Sequence, residues 1–533
     1  MDLPVATIRV DSRIRLSLRE IGEEAAQRIR KRCEHDNPNR SEGRLRALEE
    51  AARKQRGSAQ KRAWGLFFAA KKQPRTFATW AEDGDEFSLP RGRIRDVYEV
   101  LDDLGIEDQV VDERSLGDSN LRPDYLHSPV VDGVEVPLYD FQREYVAAGL
   151  ERENTYWRSG TGTGKTTAAL AFAVAAGVPA LVVVWTGNLH DQWRERCLRE
   201  LRHRDGRPLR ASEVGVVRGK ERLLRPVTIA MEQTLHAMPP EELSELSRHF
   251  GALVCDELDR YGAKTFAAVV DRCACRYRIG VSADERRKDR LEFLIYDSFG
   301  SQSGPDIARS ELVARGVVVD VELVAVESEF CPDWYRSLPP AARPTAHNRL
   351  VDEMTADEDR SALVVGIASA DYREGEQVIV FTHRVEHARR LEADFRAAHP
   401  GIGGEETGLL LGGDERASEF RRVADGLRTG ACRAAFGTYQ AIAYGLDLPS
   451  VSRGVAATPQ HSNPKVLNQV RGRLCRASAG KGKGRLSVVW DRRCFGARPL
   501  RVLAKLGSAF VSAGGELIPA TEYLRGLRDE ANE

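Results

Sequence analysis

Eight consecutive residues, Ser159-Gly160-Thr161-Gly162-Thr163-Gly164-Lys165-Thr166, leave few choices of fold. Glycine at every second position lets backbone amides curl inward around an anion, and the alanine-rich stretch that follows supplies a helix N-terminus aimed at the same point. Lys165 and Thr166 at the helix start complete a P-loop, in which the amine reaches the β- and γ-phosphates of a nucleotide and the hydroxyl ligates Mg2+. Ser159 stands where the general formula has its first glycine. Such a loop joins a strand to a helix, so the surrounding fold is expected to be α/β with a parallel sheet. Ala168 to Trp185 follows without a charged side chain. Gly177 and Pro179 divide it into a buried helix and a strand, and no membrane span is expected.

Short aliphatic strands alternate with helical segments on either side of this point. Leu181–Val184, Val227–Ala230, Ala252–Cys255 and Arg278–Ser282 form one set, and Gln377–Thr382, Ala434–Thr438, Arg453–Ala456 and Leu486–Trp490 a second. The fold class is therefore read as α/β, two tandem parallel-sheet domains preceded by a mainly helical accessory region. The expected boundaries are a basic helical region at 1–75, an acidic accessory region at 76–131, a first α/β domain at 132–326, a proline-rich linker at 327–345, a second α/β domain at 346–498 and C-terminal helices at 499–533.

A P-loop needs a carboxylate partner on a neighbouring strand. Asp256 and Glu257 end the apolar run Ala252–Cys255; Asp256 is placed to hold Mg2+ and Glu257 to orient and deprotonate an attacking water. In the second domain Gln469, Arg473 and Arg476 share a helical segment, and Arg473 and Arg476, three residues apart, lie on one face. Their planar forks suit the charge of a transferring γ-phosphate.

These pieces, in this order, resemble the superfamily 2 helicases. Leu138 to Gln142 is similar to the segment in which a Gln reads adenine. Val184-Trp185-Thr186 with Gln192-Trp193 resembles motif Ia, and Val227 to Met231 the next nucleic-acid-contacting motif. Asp256 to Asp259 has the DExD form of motif II, and Gly280 to Ala283 that of motif III. Val378 to Thr382 with Glu386-His387 resembles motif IV, Thr438 with Gly445-Leu446-Asp447 motif V, and Gln469 to Arg476 motif VI. The resemblance implies two RecA-like domains, ATP and Mg2+ as cofactors, and nucleotide contacts from Gln142, Ser159 to Thr167, Gly445 and Asp447. Arg286 to Asp289, Leu294 to Tyr296 and Asn348 to Val351 resemble the XPB-like and UvsW-like branch, which implies DNA, duplex or branched, rather than RNA. The implied activity is an ATP-driven DNA helicase or translocase. A non-unwinding double-stranded DNA translocase, the motor subunit of a restriction, repair or defence complex with partner proteins, is one alternative, and an RNA helicase is another. Two positions depart from the pattern: Asp284 replaces the Thr of motif III, and Val470 an Arg of motif VI.

Charge adds a question of its own. The chain has 80 Lys and Arg and 80 Asp and Glu. That neutrality sums opposed blocks: residues 1–75 carry 19 basic and 10 acidic side chains, residues 76–140 carry 5 and 17. The basic block is expected either to grip DNA phosphates or to pack on its acidic neighbour. Nine scattered cysteines and the lack of an apolar N-terminal run point to reduced thiols and a cytoplasmic location.

Overall fold

The computed structural model describes residues 5–53, 57–131, 134–160, 162–258, 263–283, 290–338, 343–412, 417–443, 450–458, 467, 470–472, 474, 482–496, 509–513 and 516–519. The chain divides into two compact units, the first taking in residues 1–160 and 164–307 and the second residues 161–163 and 308–533.

The N-terminal part of the first unit corrects the sequence reading. Instead of a mainly helical region followed by a separate acidic one, residues 6–112 share one five-stranded sheet in the order Ala81–Asp83, Glu86–Pro90, Arg13–Ser17, Ala6–Val10, Asp108–Asp112. The first strand pairs in parallel with the last, from Ala6 beside Asp108 to Val10 beside Asp112. Ala6, Ile8, Val10, Ile14 and Leu16 point to one face and are buried under helices Leu18–Arg32 and Ile94–Leu104. The second helix ends as its sequence requires, with Gly105 at φ +64.

The charge question resolves along the chain. Arg15 pairs with Glu86, Arg30 with Glu82, and Arg32 with Glu99, so these three arginines face the acidic block, while Arg13 pairs with Asp271 and Arg28 with Glu24. Beyond Arg32, Glu42–Arg53 and Gly57–Lys72 form a helical hairpin between the paired strands Glu34–Asp36 and Thr76–Ala78. Arg46 pairs with Glu42 and Arg53 with Glu49, each within one helix.

This N-terminal sheet is docked on the rest of the unit through buried arginines. Arg91 donates to the carbonyls of Cys275 at 2.5 Å and Arg276 at 2.7 Å. Arg278 donates to Ser12 at 3.0 Å and Cys273 at 2.9 Å. Arg93 and His35 both reach the buried Asp297, at 2.5 and 3.1 Å. Gly92 permits the approach: a Cβ there would lie 2.1 Å from the Tyr296 carbonyl oxygen.

A larger sheet of the first unit runs in the order Asn154–Arg158, Tyr277–Ser282, Ala252–Asp256, Ala180–Val184, Val227–Met231, Gly215–Arg218, Glu221–Leu223, parallel except at the last pair. Ala180–Val184 and Ala252–Asp256 are buried at every position, the mark of strands covered on both faces. No helix among the described residues is long and apolar enough to cross a membrane, and the 168–185 run divides into helix Lys165–Ala175 and strand Ala180–Val184.

In the second unit eight strands lie in the order Thr407–Leu410, Ala434–Thr438, Val378–Thr382, Arg453–Ala456, Gly484–Trp490, Val321–Glu327, Ala509–Ala513, Glu516–Pro519. The expected linker is thereby corrected. Val321–Glu327 is an interior strand paired with Gly484–Trp490 and Ala509–Ala513, and Tyr335 is buried with Leu350, Met354 and Cys494. The expected C-terminal helices at 499–533 are corrected where the structure describes them: Ala509–Ala513 and Glu516–Pro519 are strands.

Candidate nucleotide-hydrolysis site

Strand register brings the sequence-predicted residues of the first domain to one level. Arg158 pairs with Ser282, and Asp256 with Val281, so the P-loop, motif III and motif II all leave the sheet at its carboxyl edge. That edge is where open α/β sheets bind ligands. The loop is tied to motif III by the Ser159 amide, which donates to the Ser282 carbonyl at 3.0 Å.

Backbone conformation at the loop needs its glycines. Gly162 and Gly164 take φ +94 and +75, and a Cβ at Gly164 would lie 2.5 Å from Gln142 Nε2. Lys165 opens the helix Lys165–Ala175, its amine donating to the Ser159 carbonyl at 3.0 Å across the mouth of the loop. Thr166 follows it, half-buried; Ser159 and Thr163 are buried, and Gly160 is exposed.

Gln142 is buried at the third position of helix Asp140–Arg152, where its Oε1 accepts from the Tyr139 amide at 3.1 Å. Tyr139 stacks on Phe141 at 5.3 Å and leaves 46% of its surface exposed. This exposed ring beside Gln142 is a candidate base contact that the motif comparison in sequence does not single out.

Thr167 is drawn elsewhere. Its hydroxyl donates to Glu200 at 3.3 Å and accepts from Arg196 at 2.9 Å. Glu200 is nearly inaccessible, and burial alone would push its carboxyl up. The His127 hydrogen bond and the Arg196 charge outweigh that and hold it at about 2. Thr167 thus couples the P-loop helix to helix Gly187–Glu200.

The carboxylates are held from both sides. Asp256, 6% exposed, accepts the Trp193 indole N–H at 2.8 Å on Oδ2 and the Glu257 amide at 2.9 Å on Oδ1. Trp193, expected as part of a nucleic-acid-contacting motif, is 2% exposed and faces the Asp256 carboxylate instead. Glu257 adopts φ +56, a left-handed conformation costing a non-glycine residue roughly 1–2 kcal/mol. The next residue, Leu258, is fully buried against Gly280, where a Cβ would come within 2.5 Å of Leu258 Cδ1. Burial of that leucine, worth about 1.5–3 kcal/mol, offsets the strain and fixes the direction of Glu257.

In the second unit, motif IV is internal. His387 is buried, and its Nδ1 lies 2.8 Å from the Thr382 hydroxyl; burial and the nearby Arg360 and Arg390 charges push it down to about 3. Val470, one of the two departures, is fully buried on the same stripe as Leu467 and Leu474, which explains an apolar residue there. Thr161, Asp259, Asp284, Gly445, Asp447, Gln469, Arg473 and Arg476 lie outside the described residues.

Two domain families match the chain. The domain family described as type III restriction enzyme, res subunit, matches residues 135–285, and the helicase conserved C-terminal domain matches residues 360–478. The chain belongs to the superfamily 2 helicases. A phage protein named as a helicase, D10 of Escherichia phage T5, is 28% identical over 205 residues, 38% of this chain and 40% of its own length. The DNA 3'-5' translocase XPB2 of Sulfurisphaera tokodaii is 26% identical over 212 residues, 39% of this chain and 42% of its own. This chain thus spans about two fifths of each relative. Among solved structures, the helicase MrfA bound to DNA superposes with a TM-score of 0.52 over 70% of this chain and 50% of its own, at 16% identity. That likeness is one of fold.

Proposed function

We propose that this helicase is an ATP-driven motor that moves on or remodels DNA. The observation that supports it most directly is the convergence of Lys165, Asp256 and Glu257 at one sheet edge, with Asp256 held by Trp193 and Glu257 turned by its left-handed backbone. Lys165 and the amides of the P-loop would take the phosphates, and Tyr139 and Gln142 the adenine. Thr166 and Asp256 suit Mg2+, a cation that usually takes one or two protein oxygens and completes its shell with phosphates and water. When bound, the ion would neutralise charge on the β- and γ-phosphates. Glu257 would orient the attacking water and accept its proton. Arg473 and Arg476 would stabilise charge on the γ-phosphate, with Gln469 beside them in the sequence. DNA as the track is supported by relatives named for DNA translocation.

ATP hydrolysis by the full chain, measured with duplex, forked and single-stranded DNA and with RNA, tests this. Stimulation by DNA and its loss in Lys165→Ala are expected; stimulation by RNA alone, or hydrolysis by Lys165→Ala at the parental rate, would overturn it. A forked substrate that is bound and stimulates ATPase without being unwound would select the translocase reading, which the carboxylate at Asp284 in motif III favours.

A further inference from the structure

Positive charge is concentrated in one segment outside both motor sheets. Residues 37–75 carry 11 Lys and Arg against 3 Asp and Glu. They leave a separate two-stranded sheet after Glu34–Asp36 and return to it at Thr76–Ala78, and Asn37 closes their neck. Its amide donates to the Arg75 carbonyl at 2.8 Å, and its side chain to Gln73 at 3.2 Å and the Pro74 carbonyl at 2.9 Å.

Below the neck the hairpin is fixed to the first motor domain. His35 stacks on Phe293 at 4.0 Å and bonds Asp297, and Phe77 packs on the same ring at 6.0 Å. Above it, helix Gly57–Lys72 has two faces. Ala63, Phe67 and Ala70 are buried, at the spacing of one helical stripe. Lys61, Gly65, Phe68 and Lys72 form the opposite stripe and are exposed. Phe68 is 53% exposed between two lysines, with Trp64 roughly parallel to it at 5.7 Å and Leu66 beside them at 62% exposure.

Rings interleaved with cations suit unpaired nucleic acid: each base has a face to stack, and the backbone between bases is anionic. A second copy of the hairpin would oppose like charge to like, which argues against self-association. We propose that the hairpin is a second DNA-binding site of this motor, with Trp64 and Phe68 stacking on unpaired bases beside a duplex end and the hairpin cations holding the adjoining phosphates. This rests on the DNA reading above. Because the neck is fixed to the first motor domain, the rings are carried as part of that domain and meet the junction at a constant place.

The test uses the full chain, a forked DNA with unpaired thymidine arms, and a blunt duplex of the same sequence. Phe68→Ala is expected to weaken fork binding roughly 5- to 150-fold, the range for one lost base stack, while blunt-duplex binding stays within about twofold. Phe68→Trp restores fork binding and Phe68→Leu, which has no π-face, does not. Lys61→Glu with Lys72→Glu weakens both substrates and flattens the salt dependence. Fork binding by Phe68→Ala at the parental level, rescue by Phe68→Leu, or a parental dimer that Phe68→Ala splits in sedimentation overturns the proposal. Parental ATPase that no DNA stimulates sinks the motor reading itself; DNA-stimulated ATPase with unaltered fork binding in Phe68→Ala sinks the hairpin site alone.

Discussion

The indole of Trp193 and the carboxylate of Asp256 are joined by a buried hydrogen bond of 2.8 Å that spans 63 residues of chain. It orients the carboxylate, with the Glu257 amide on the other oxygen. Trp193→Phe keeps the ring volume and deletes the donor. Hydrogen bonds to charged groups are worth about 1.5–3 kcal/mol, so the maximal ATPase rate should fall roughly 10- to 100-fold and half-saturation by Mg2+ should rise. A magnesium titration of ATPase activity checks this, and an unchanged half-saturation would reduce Trp193 to a core residue.

Glu257 and Lys165 should separate binding from chemistry. Glu257→Gln keeps the side-chain size, so nucleotide should still bind while hydrolysis falls about 10²- to 10⁴-fold, the usual contribution of a general base. Lys165→Ala should lose both. Fluorescent-nucleotide binding beside single-turnover hydrolysis distinguishes the two.

Gly92→Ala places a methyl group into the Tyr296 and Asp297 carbonyls, 2.1 and 2.5 Å away. Backbone cannot yield there without pulling Arg91 and Arg93 from their acceptors, each a charged hydrogen bond of about 1.5–3 kcal/mol. The N-terminal sheet should undock and become a substrate for limited proteolysis, with cleavage in the segment between Asp112 and Asp140. Protease resistance equal to the parent's would show that the junction can relax.

Acid should weaken the two units in different windows. His387 is held neutral, down to about 3, so the unfolded chain protonates first and stability is lost as pH falls from 6.5 toward 3. Glu200, at about 2 instead of 4.5, contributes stability that is complete above 4.5 and lost between there and 2. Melting curves from pH 7 to 4 should show His387→Asn losing less stability than the parent between 6.5 and 5. Glu200→Gln should cost about 3–5 kcal/mol at neutral pH, as expected when a buried pair loses one partner.

The motor strands were legible because strands covered on both faces must be apolar throughout, as Ala180–Val184 and Ala252–Cys255 are. The N-terminal strands hid for the converse reason. Ala6–Val10 and Arg13–Ser17 bury alternate residues and put Arg9, Arg13 and Arg15 between them, a pattern that merges with the basic helices beside it. Lys165, Asp256 and Glu257 could be named from local motifs. The bond from Trp193 to Asp256 could not, since it depends on two segments meeting only through the sheet.

The neck at Asn37 has a consequence for how the N-terminal region could have acquired its hairpin. Its amide and the Arg75 carbonyl meet at 2.8 Å, so the chain leaves and re-enters at a single point, while the strands beneath keep the register of His35 beside Phe77. A short turn replacing residues 38–74 would join the same two strands without disturbing that pairing. The arm is therefore a detachable cassette, one that homologous lineages could gain, lose or exchange while the engine beneath stayed the same.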